Sequence, residues 1–109
     1  MDQYAVALPG GRSLALASRQ LELIAIGLGY RGRTDRGGRD HLMVEALEML
    51  PPPERAAAFG VVLLRFGHKL DIESASQYSG LRSWDVCRLE AAFCQALAAA
   101  RGMRSAGVD

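Results

Sequence analysis

The chain has 109 residues, of which 50% are apolar and 23% are charged, a composition that suits one domain with its own hydrophobic core. Thirteen basic and twelve acidic side chains leave a formal net charge of +1, so no overall positive field attracts nucleic acid and any DNA contact depends on local placement of arginines. No apolar run reaches the roughly 20 residues that span a bilayer, and the N-terminus lacks the basic-then-apolar order of a signal peptide, so we expect a cytoplasmic protein.

The first predicted element surrounds the turn-forming tetrad PGGR at Pro9–Arg12, which has small and apolar residues on both sides. This arrangement is compatible with a short β-hairpin within residues 1–17. The same stretch also suits a helix, because Ser13 is a good N-cap and leucine and alanine favour helices. Both interpretations stay open for this N-terminal arm.

The first strongly helical segment begins at Ser18, whose side chain suits the N-cap position. Leu21, Ile24 and Leu28 recur at helical spacing, and further apolar residues between them leave little polar surface. The pattern predicts a central, buried helix that ends around Gly27–Gly29.

A stretch rich in arginine and glycine follows at Tyr30–Asp40, and its glycines predict a flexible loop. Arginine side chains on a flexible segment are suited to clasping phosphate or RNA. The other interpretation is a solvated connection, since Asp35 and Asp40 cancel half of the positive charge. The candidate phosphate-contacting residues are Arg31, Arg33, Arg36 and Arg39.

Two further helices are predicted on either side of a proline run. Asp40 is expected to cap the helix His41–Leu50, which ends at Pro51–Pro53 because proline cannot donate the N–H that a helix interior needs. The next helix restarts at Glu54, since proline is tolerated just before the first turn. Its apolar stripe is Phe59, Val62, Leu63 and Phe66.

The last two predicted helices are separated by a glycine. Asp71 caps a short helix that runs through Tyr78, and Gly80 stands just past its end, where glycine readily adopts a left-handed conformation. Ser83 opens a long final helix to about Arg101. The core-facing stripe of that helix is Val86, Leu89, Phe93 and Leu97.

The segment LPPPERAAAFGVVLLRFGHKLDIESASQYSGLRSWDVCRLEAAF, Leu50–Phe93, resembles the helix-turn-helix of sigma-factor region four and related output domains. It covers about two fifths of the chain, and the first 49 residues lie outside it. The spacing of the pattern from Leu64 to Val86 agrees without a gap. The matching residues are Leu50, Pro51, Arg55, Leu64, Arg65, Phe66, Leu70, Ala75, Ser76, Gly80, Leu81 and Val86.

Elementary geometry explains why such a pattern predicts a corner between two helices. Gly80 turns the chain, Leu81 fills the angle, a small residue at Ala75 or Ser76 permits close approach, and Val86 anchors the second helix. We therefore predict an all-α fold, a compact bundle of about five helices that contains a helix-turn-helix, with a short N-terminal hairpin as one interpretation. The single domain 1–109 divides into an arm or hairpin (1–17), N-terminal helices with the arginine loop (18–50), the helix-turn-helix part (51–101) and a tail (102–109).

The resemblance implies that the second helix lies in the major groove and contacts bases and phosphates with its first turns. This gives the first functional hypothesis, a small bacterial-type DNA-binding protein that regulates transcription. At about 100° per residue, Trp84, Arg88 and Gln95 fall opposite the core stripe, so Trp84 should face outward with Arg88 stacked on its ring. The other interpretation is that the N-terminal segment covers Trp84. The candidate DNA- or partner-binding residues are Arg82, Ser83, Trp84, Arg88 and Gln95.

Several positions depart from the family pattern. Arg82 stands where the family has a capping hydroxyl, and Asp85 stands at its phosphate-contacting threonine. Cys87, Leu89 and Glu90 occupy the region that is usually basic, with only Arg88 retained. These departures favour a second hypothesis, a non-enzymatic protein-interaction adaptor or oligomeric subunit that keeps the helix-turn-helix frame without reading DNA.

The two cysteines stand seven residues apart on the final helix, too far for a disulfide within it and without C-x-x-C spacing, so free thiols are expected. They belong to a stripe of small residues that permits a second helix to approach closely, which predicts a homodimer. Packing against an N-terminal helix of the same chain is the other interpretation. The candidate dimer face is Cys87, Ala91, Cys94 and Ala98.

Catalytic and metal-binding motifs give no signal. His41 and His68 are the only histidines, and neither stands in a zinc-binding or nucleophile motif. No glycine-rich phosphate loop follows a predicted strand. We therefore predict that the protein is not an enzyme and has no cofactor and no metal site.

Overall fold

The computed structural model describes residues 3–29 and 36–106, with side chains described for 3–29 and 38–102. Strands β1 (Gln3–Ala7) and β2 (Ser13–Ala17) pair antiparallel. The connection contains a short 3₁₀ turn, Pro9–Gly11, in which Gly10 and Gly11 have φ of 77° and 75°, in the left-handed region. The predicted hairpin is confirmed, and the alternative helix beginning at Ser13 is wrong.

Five α-helices follow in the described residues: α1 (Ser18–Gly27), α2 (Arg36–Glu48), α3 (Arg55–Val62), α4 (Ile72–Ser79) and α5 (Ser83–Ala106). A 3₁₀ turn, Pro52–Glu54, precedes α3, and a π-helical segment, Leu63–Gly67, continues it. The predicted fold, a helical bundle of about five helices with an N-terminal hairpin, is therefore confirmed. The final helix runs past its predicted end near Arg101 as far as Ala106, and residues 107–109 lie outside the described part.

The core joins the inward face of the hairpin to all five helices. Val6 and Leu16 are fully buried on the hairpin, and α5 packs against α2, α3 and α4. The predicted stripe of α5 is confirmed, because its four members are all buried: Val86, Leu89, Phe93 and Leu97. Within the described residues, no helix combines the length and the apolar composition needed to cross a membrane.

Helix α1 lies directly against the π-helical segment. A Cβ atom built on Gly27 would stand 2.0 Å from the carbonyl oxygen of Phe66, so only glycine permits this approach. Gly67 is also close to the same helix, because a Cβ there would lie 3.4 Å from Cβ of Leu23. Residue size at position 27 therefore sets how near the first helix comes to the chain that leads into α4.

The start of α2 corrects two predictions. The helix begins at Arg36, so the last residues of the predicted loop are helical and Asp40 lies inside the helix rather than at its cap. Asp40 is fully buried, and its carboxylate accepts hydrogen bonds from Ser18 Oγ at 2.6 Å, Tyr4 Oη at 3.2 Å and Arg39 Nη2 at 3.0 Å. Donors from β1, α1 and α2 therefore bind this carboxylate. An N-cap carboxylate would instead accept a hydrogen bond from a backbone N–H in the first turn of its own helix.

Ser18 is likewise displaced from its predicted cap. It is the first residue of α1, while Ala17 occupies the cap position and donates its N–H to Gln20 Oε1 at 3.0 Å. The Ser18 hydroxyl points inward to Asp40 instead. The Ser18 hydroxyl therefore donates to a buried carboxylate instead of accepting a backbone N–H at the helix start.

Candidate nucleic-acid or partner interface

Helix α4, which leads into the corner with α5, has a well-formed cap at its N-terminal end. Asp71 Oδ1 accepts a hydrogen bond from the backbone N–H of Ser74 at 2.7 Å, as the sequence predicted. This hydrogen bond lowers the pKa of Asp71 below its ordinary value. At the other end of α4, Gly80 has a φ of 75° and its N–H donates to Ser76 O at 3.0 Å, so the chain turns where predicted.

Side chains on both helices fix the corner from inside. Ala75 and Val86 are fully buried, and Leu81 is half-buried against the core. The Ser76 hydroxyl donates to the carbonyl oxygen of Leu81, which ties the turn to α4. Helix α5 consequently has a fixed buried face, and its opposite face points to solvent.

The two arginines of the resemblance act as internal ties. Arg55 donates to three carbonyl oxygens, those of Leu50 at 3.0 Å, Glu48 at 2.7 Å and Ala7 at 2.8 Å, and so joins the end of α2 to the hairpin. Arg65 donates through Nε to Glu90 on α5 and through Nη1 to Leu70 O at 2.7 Å. Neither guanidinium is presented as a ligand-binding group.

The leading end of α5, defined here as Arg82, Ser83 and Trp84, is exposed. Trp84 is 70% exposed, so its predicted outward orientation is confirmed and no described part of the N-terminal segment covers it. None of the ion pairs among the described residues includes Arg82. Gln95 is exposed as well, but it lies 11 residues beyond Trp84, roughly 16 Å along the helix, and is not part of this end.

Arg88 belongs to a cluster that also contains Glu54, Trp84 and Asp85, named here the Arg88 cluster. Its Nη1 donates to Glu54 Oε1 at 2.8 Å, and its Nη2 lies 3.5 Å from Asp85 Oδ1. The guanidinium carbon stands 5.7 Å from the centroid of the Trp84 ring, within the range of a cation–π contact. The hydrogen bond to Glu54 is the main cause that raises the pKa of Arg88.

The predicted arginine loop is only partly described. Arg31 and Arg33 lie outside the described residues, as does the side chain of Arg36, which begins α2. Arg39 was predicted to lie in the loop, which is wrong, because it lies in α2 with its side chain 12% exposed. Its guanidinium binds Asp40 and lies 3.9 Å from Glu22, so it is not presented to phosphate.

The small-residue stripe of α5 faces solvent. Cys87, Ala91 and Ala98 are exposed, and Cys94 is half-buried. Packing of this stripe against an N-terminal helix of the same chain is therefore wrong. Burial raises the pKa of the Cys94 thiol, which disfavours its reactive thiolate.

An apolar groove that the sequence did not predict runs between α3 and the corner. It consists of two adjoining concavities of about 420 and 320 Å³ that share Leu64, with Gly60 and Leu81 in the first and Tyr78 in the second. Tyr78 is 78% exposed. The signal in the sequence was the run of small residues in α3, which leaves space that larger side chains would fill.

No family model matches the chain, and no curated protein or solved structure matches it either. Within the described ranges, no group of three or more His, Cys, Asp or Glu side chains is arranged to hold a metal ion.

Proposed function

We propose that the chain is a small cytoplasmic helix-turn-helix protein that binds DNA through the leading end of α5 and regulates transcription. The observation that supports this most directly is the exposure of Arg82, Ser83 and Trp84 at the start of a helix whose other face is buried. Second helices of this motif enter the major groove with their first turns foremost. A helix held rigidly by its buried face presents those turns in one orientation.

The exposed side chains offer complementary chemistry to a DNA groove. Arg82 provides a guanidinium for a phosphate or for the acceptor edge of guanine, and the Ser83 hydroxyl provides a donor for phosphate. Trp84 provides an apolar surface that suits the methyl group of thymine. Arg88, on α5, provides a second cation six residues beyond Arg82, about 1.7 helical turns along the chain.

A titration of mixed-sequence duplex DNA at several salt concentrations tests this function, with the emission of Trp84, the only tryptophan, as reporter. One phosphate contact, by Arg82, gives a slope of log affinity against log salt of about −0.9, and a second, by Arg88 once it leaves Glu54, gives about −1.8. Participation of two loop arginines steepens the slope to about −3.6. Absence of binding at the lowest salt concentration contradicts the proposal.

The apolar groove favours a second function, that of a protein-interaction module. Gly60 lies on the groove wall, and a Cβ atom built there meets nothing within 4 Å, so Gly60→Leu fills the groove without a clash at Cβ. If this is the function, the titration with DNA shows no change in Trp84 emission at any salt concentration. Gly60→Leu then abolishes binding of the protein partner, whereas Gly102→Ala, outside the groove, leaves that binding intact. DNA binding that Gly60→Leu leaves unchanged contradicts this second function.

Self-association through α5 is a further part of the proposal, supported by the exposure of its small-residue stripe. Small side chains allow two helices to approach closely, and a long cationic side chain prevents that approach. Light scattering should therefore give a dimer for the wild type and a monomer for Ala91→Arg or Ala98→Arg. A wild-type monomer whose mass neither substitution changes contradicts the dimer.

A further inference from the structure

The guanidinium of Arg88 already has anionic partners in the protein without DNA. Both of its terminal nitrogens face carboxylates, Nη1 that of Glu54 at 2.8 Å and Nη2 that of Asp85 at 3.5 Å. These terminal N–H groups are the ones that an arginine offers to a phosphate. Carboxylate and phosphate therefore compete for the same side of the same guanidinium.

We propose that Glu54 is an intramolecular competitor of phosphate that holds Arg88 and limits the affinity of the leading end of α5 for DNA. The inference rests on the proposed DNA-binding function and concerns the regulation of that same site. One guanidinium and two carboxylates give the Arg88 cluster a formal charge of −1. Release of Glu54 removes the competing acceptor and frees a cation that lies 5.7 Å from the centre of the Trp84 ring.

Glu54 is better placed than Asp85 for this role. Its contact with Arg88 is the shorter of the two, and it comes from a different element, the 3₁₀ turn before α3. Three prolines, Pro51–Pro53, stand immediately before Glu54 and restrict its backbone, so the carboxylate is held where Arg88 meets it. Asp85 stands three residues from Arg88 on the same helix and moves with it towards DNA.

The ion pair is open to competition because both partners are in contact with water. The side chains of Arg88 and Glu54 are 40% and 35% exposed, respectively. Surface ion pairs of this kind contribute little to stability, so an incoming phosphate can displace the carboxylate without opening the fold. A purely structural tie between α3 and α5 makes a different prediction, namely loss of stability with no gain in DNA affinity when Glu54 is neutralised.

The test compares DNA affinity and its salt dependence for four chains: wild type, Glu54→Gln, Arg88→Ala and the double variant. Glu73→Gln is the matched control. Glu73 is exposed on α4 and has no described contact with Arg88, and its substitution removes the same charge. We expect Glu54→Gln to bind about fivefold more tightly at low salt, with a slope steeper by about 0.9 than that of Glu73→Gln, the value for one more phosphate. In the Arg88→Ala background this advantage over the control should disappear.

Two results overturn the inference while leaving the proposed function intact. In the first, the wild type binds DNA and Glu54→Gln gains no more affinity than Glu73→Gln. In the second, Glu54→Gln keeps its advantage in the absence of Arg88. Failure of every chain, Glu54→Gln included, to bind DNA at any salt concentration overturns the proposed function itself. Circular dichroism of each variant confirms that the comparison is made between folded proteins.

Discussion

Two clusters of arginine and carboxylate among the described residues, one around Asp40 and one around Arg88, differ in their surroundings. The Asp40 cluster is closed, because a fully buried carboxylate receives donors from β1, α1 and α2. The Arg88 cluster is open, because its guanidinium and its partner Glu54 are each more than a third exposed. Similar groups therefore serve different purposes: the first cluster holds the fold together, and the second lies on the surface that we propose contacts DNA.

The largest expected effect follows from breaking the closed cluster. Asp40→Ala leaves the hydroxyl of Ser18 buried without its acceptor and removes the main partner of Arg39. Loss of one partner from a buried ionic group costs about 4 kcal/mol, which chemical denaturation measures. The matched change in the open cluster, Asp85→Ala, should leave the unfolding midpoint close to that of the wild type. Equal destabilisation by both substitutions would remove the distinction between the clusters.

A slightly smaller effect is expected where the C-terminal end of α1 meets the π-helical segment. The new methyl group of Gly27→Ala would overlap the backbone of Phe66, which cannot turn aside as a side chain can. We expect a loss of about 3 kcal/mol in unfolding free energy. The control is Gly60→Ala, where the added carbon meets nothing and the helix gains about 0.5 to 1 kcal/mol. A tolerated alanine at position 27 would contradict the close approach.

The open region should respond in function and hardly in stability. Trp84→Ala removes a ring that is 70% exposed, so the free energy of unfolding should change by no more than about 0.5 kcal/mol. Affinity for duplex DNA, followed with a labelled duplex because the reporter is lost, should fall. The native wild type should also emit at the wavelength of a solvated indole. A strongly blue-shifted emission together with a large loss of stability would place Trp84 in the core.

The smallest effect concerns the N-terminal cap of α4, at the end of that helix away from the corner. The pKa of Asp71 is lower in the folded chain than its ordinary value of 3.8, so its contribution to stability is present above that value and is lost as pH falls through the folded pKa. Asn at this position caps the helix without titrating. The difference between wild type and Asp71→Asn in urea midpoint should therefore change only in acid. A difference that is constant from neutral pH down to about pH 2.5 contradicts the assignment.

Local signals were sufficient to predict much of the fold. The tetrad at Pro9–Arg12 indicated a turn, with a hairpin and a helix from Ser13 both left open around it, and Asp71, Gly80 and Ser83 marked the start and end of α4 and the start of α5. Each of these signals depends on neighbours within a few residues, which is why sequence reasoning could use them. The outward orientation of Trp84 followed in the same way from the periodicity of one helix.

The features that were missed depend on partners far apart in sequence. Asp40 looked like a helix cap because its donors Ser18 and Tyr4 lie 22 and 36 residues away. Arg88 looked available to phosphate because Glu54 lies 34 residues away, beyond any local pattern. The groove also escaped prediction, since it forms only when α3 meets the corner. Composition and spacing do not show which carboxylate an arginine will pair with. The burial of that pair is what distinguishes an arginine that holds the fold together from one that a ligand can reach.

The most direct test of the proposed DNA contact is the difference in salt slope between wild type and Arg82→Ala, measured by Trp84 emission on the same duplex. Arg82 is exposed without a described acidic partner, so its removal should make the slope shallower by about 0.9, the value for one phosphate. Arg12→Ala, an exposed change on the hairpin turn, should leave the slope unchanged. Equal slopes for wild type and Arg82→Ala, or equal losses for Arg82→Ala and Arg12→Ala, would contradict DNA binding by the leading end of α5.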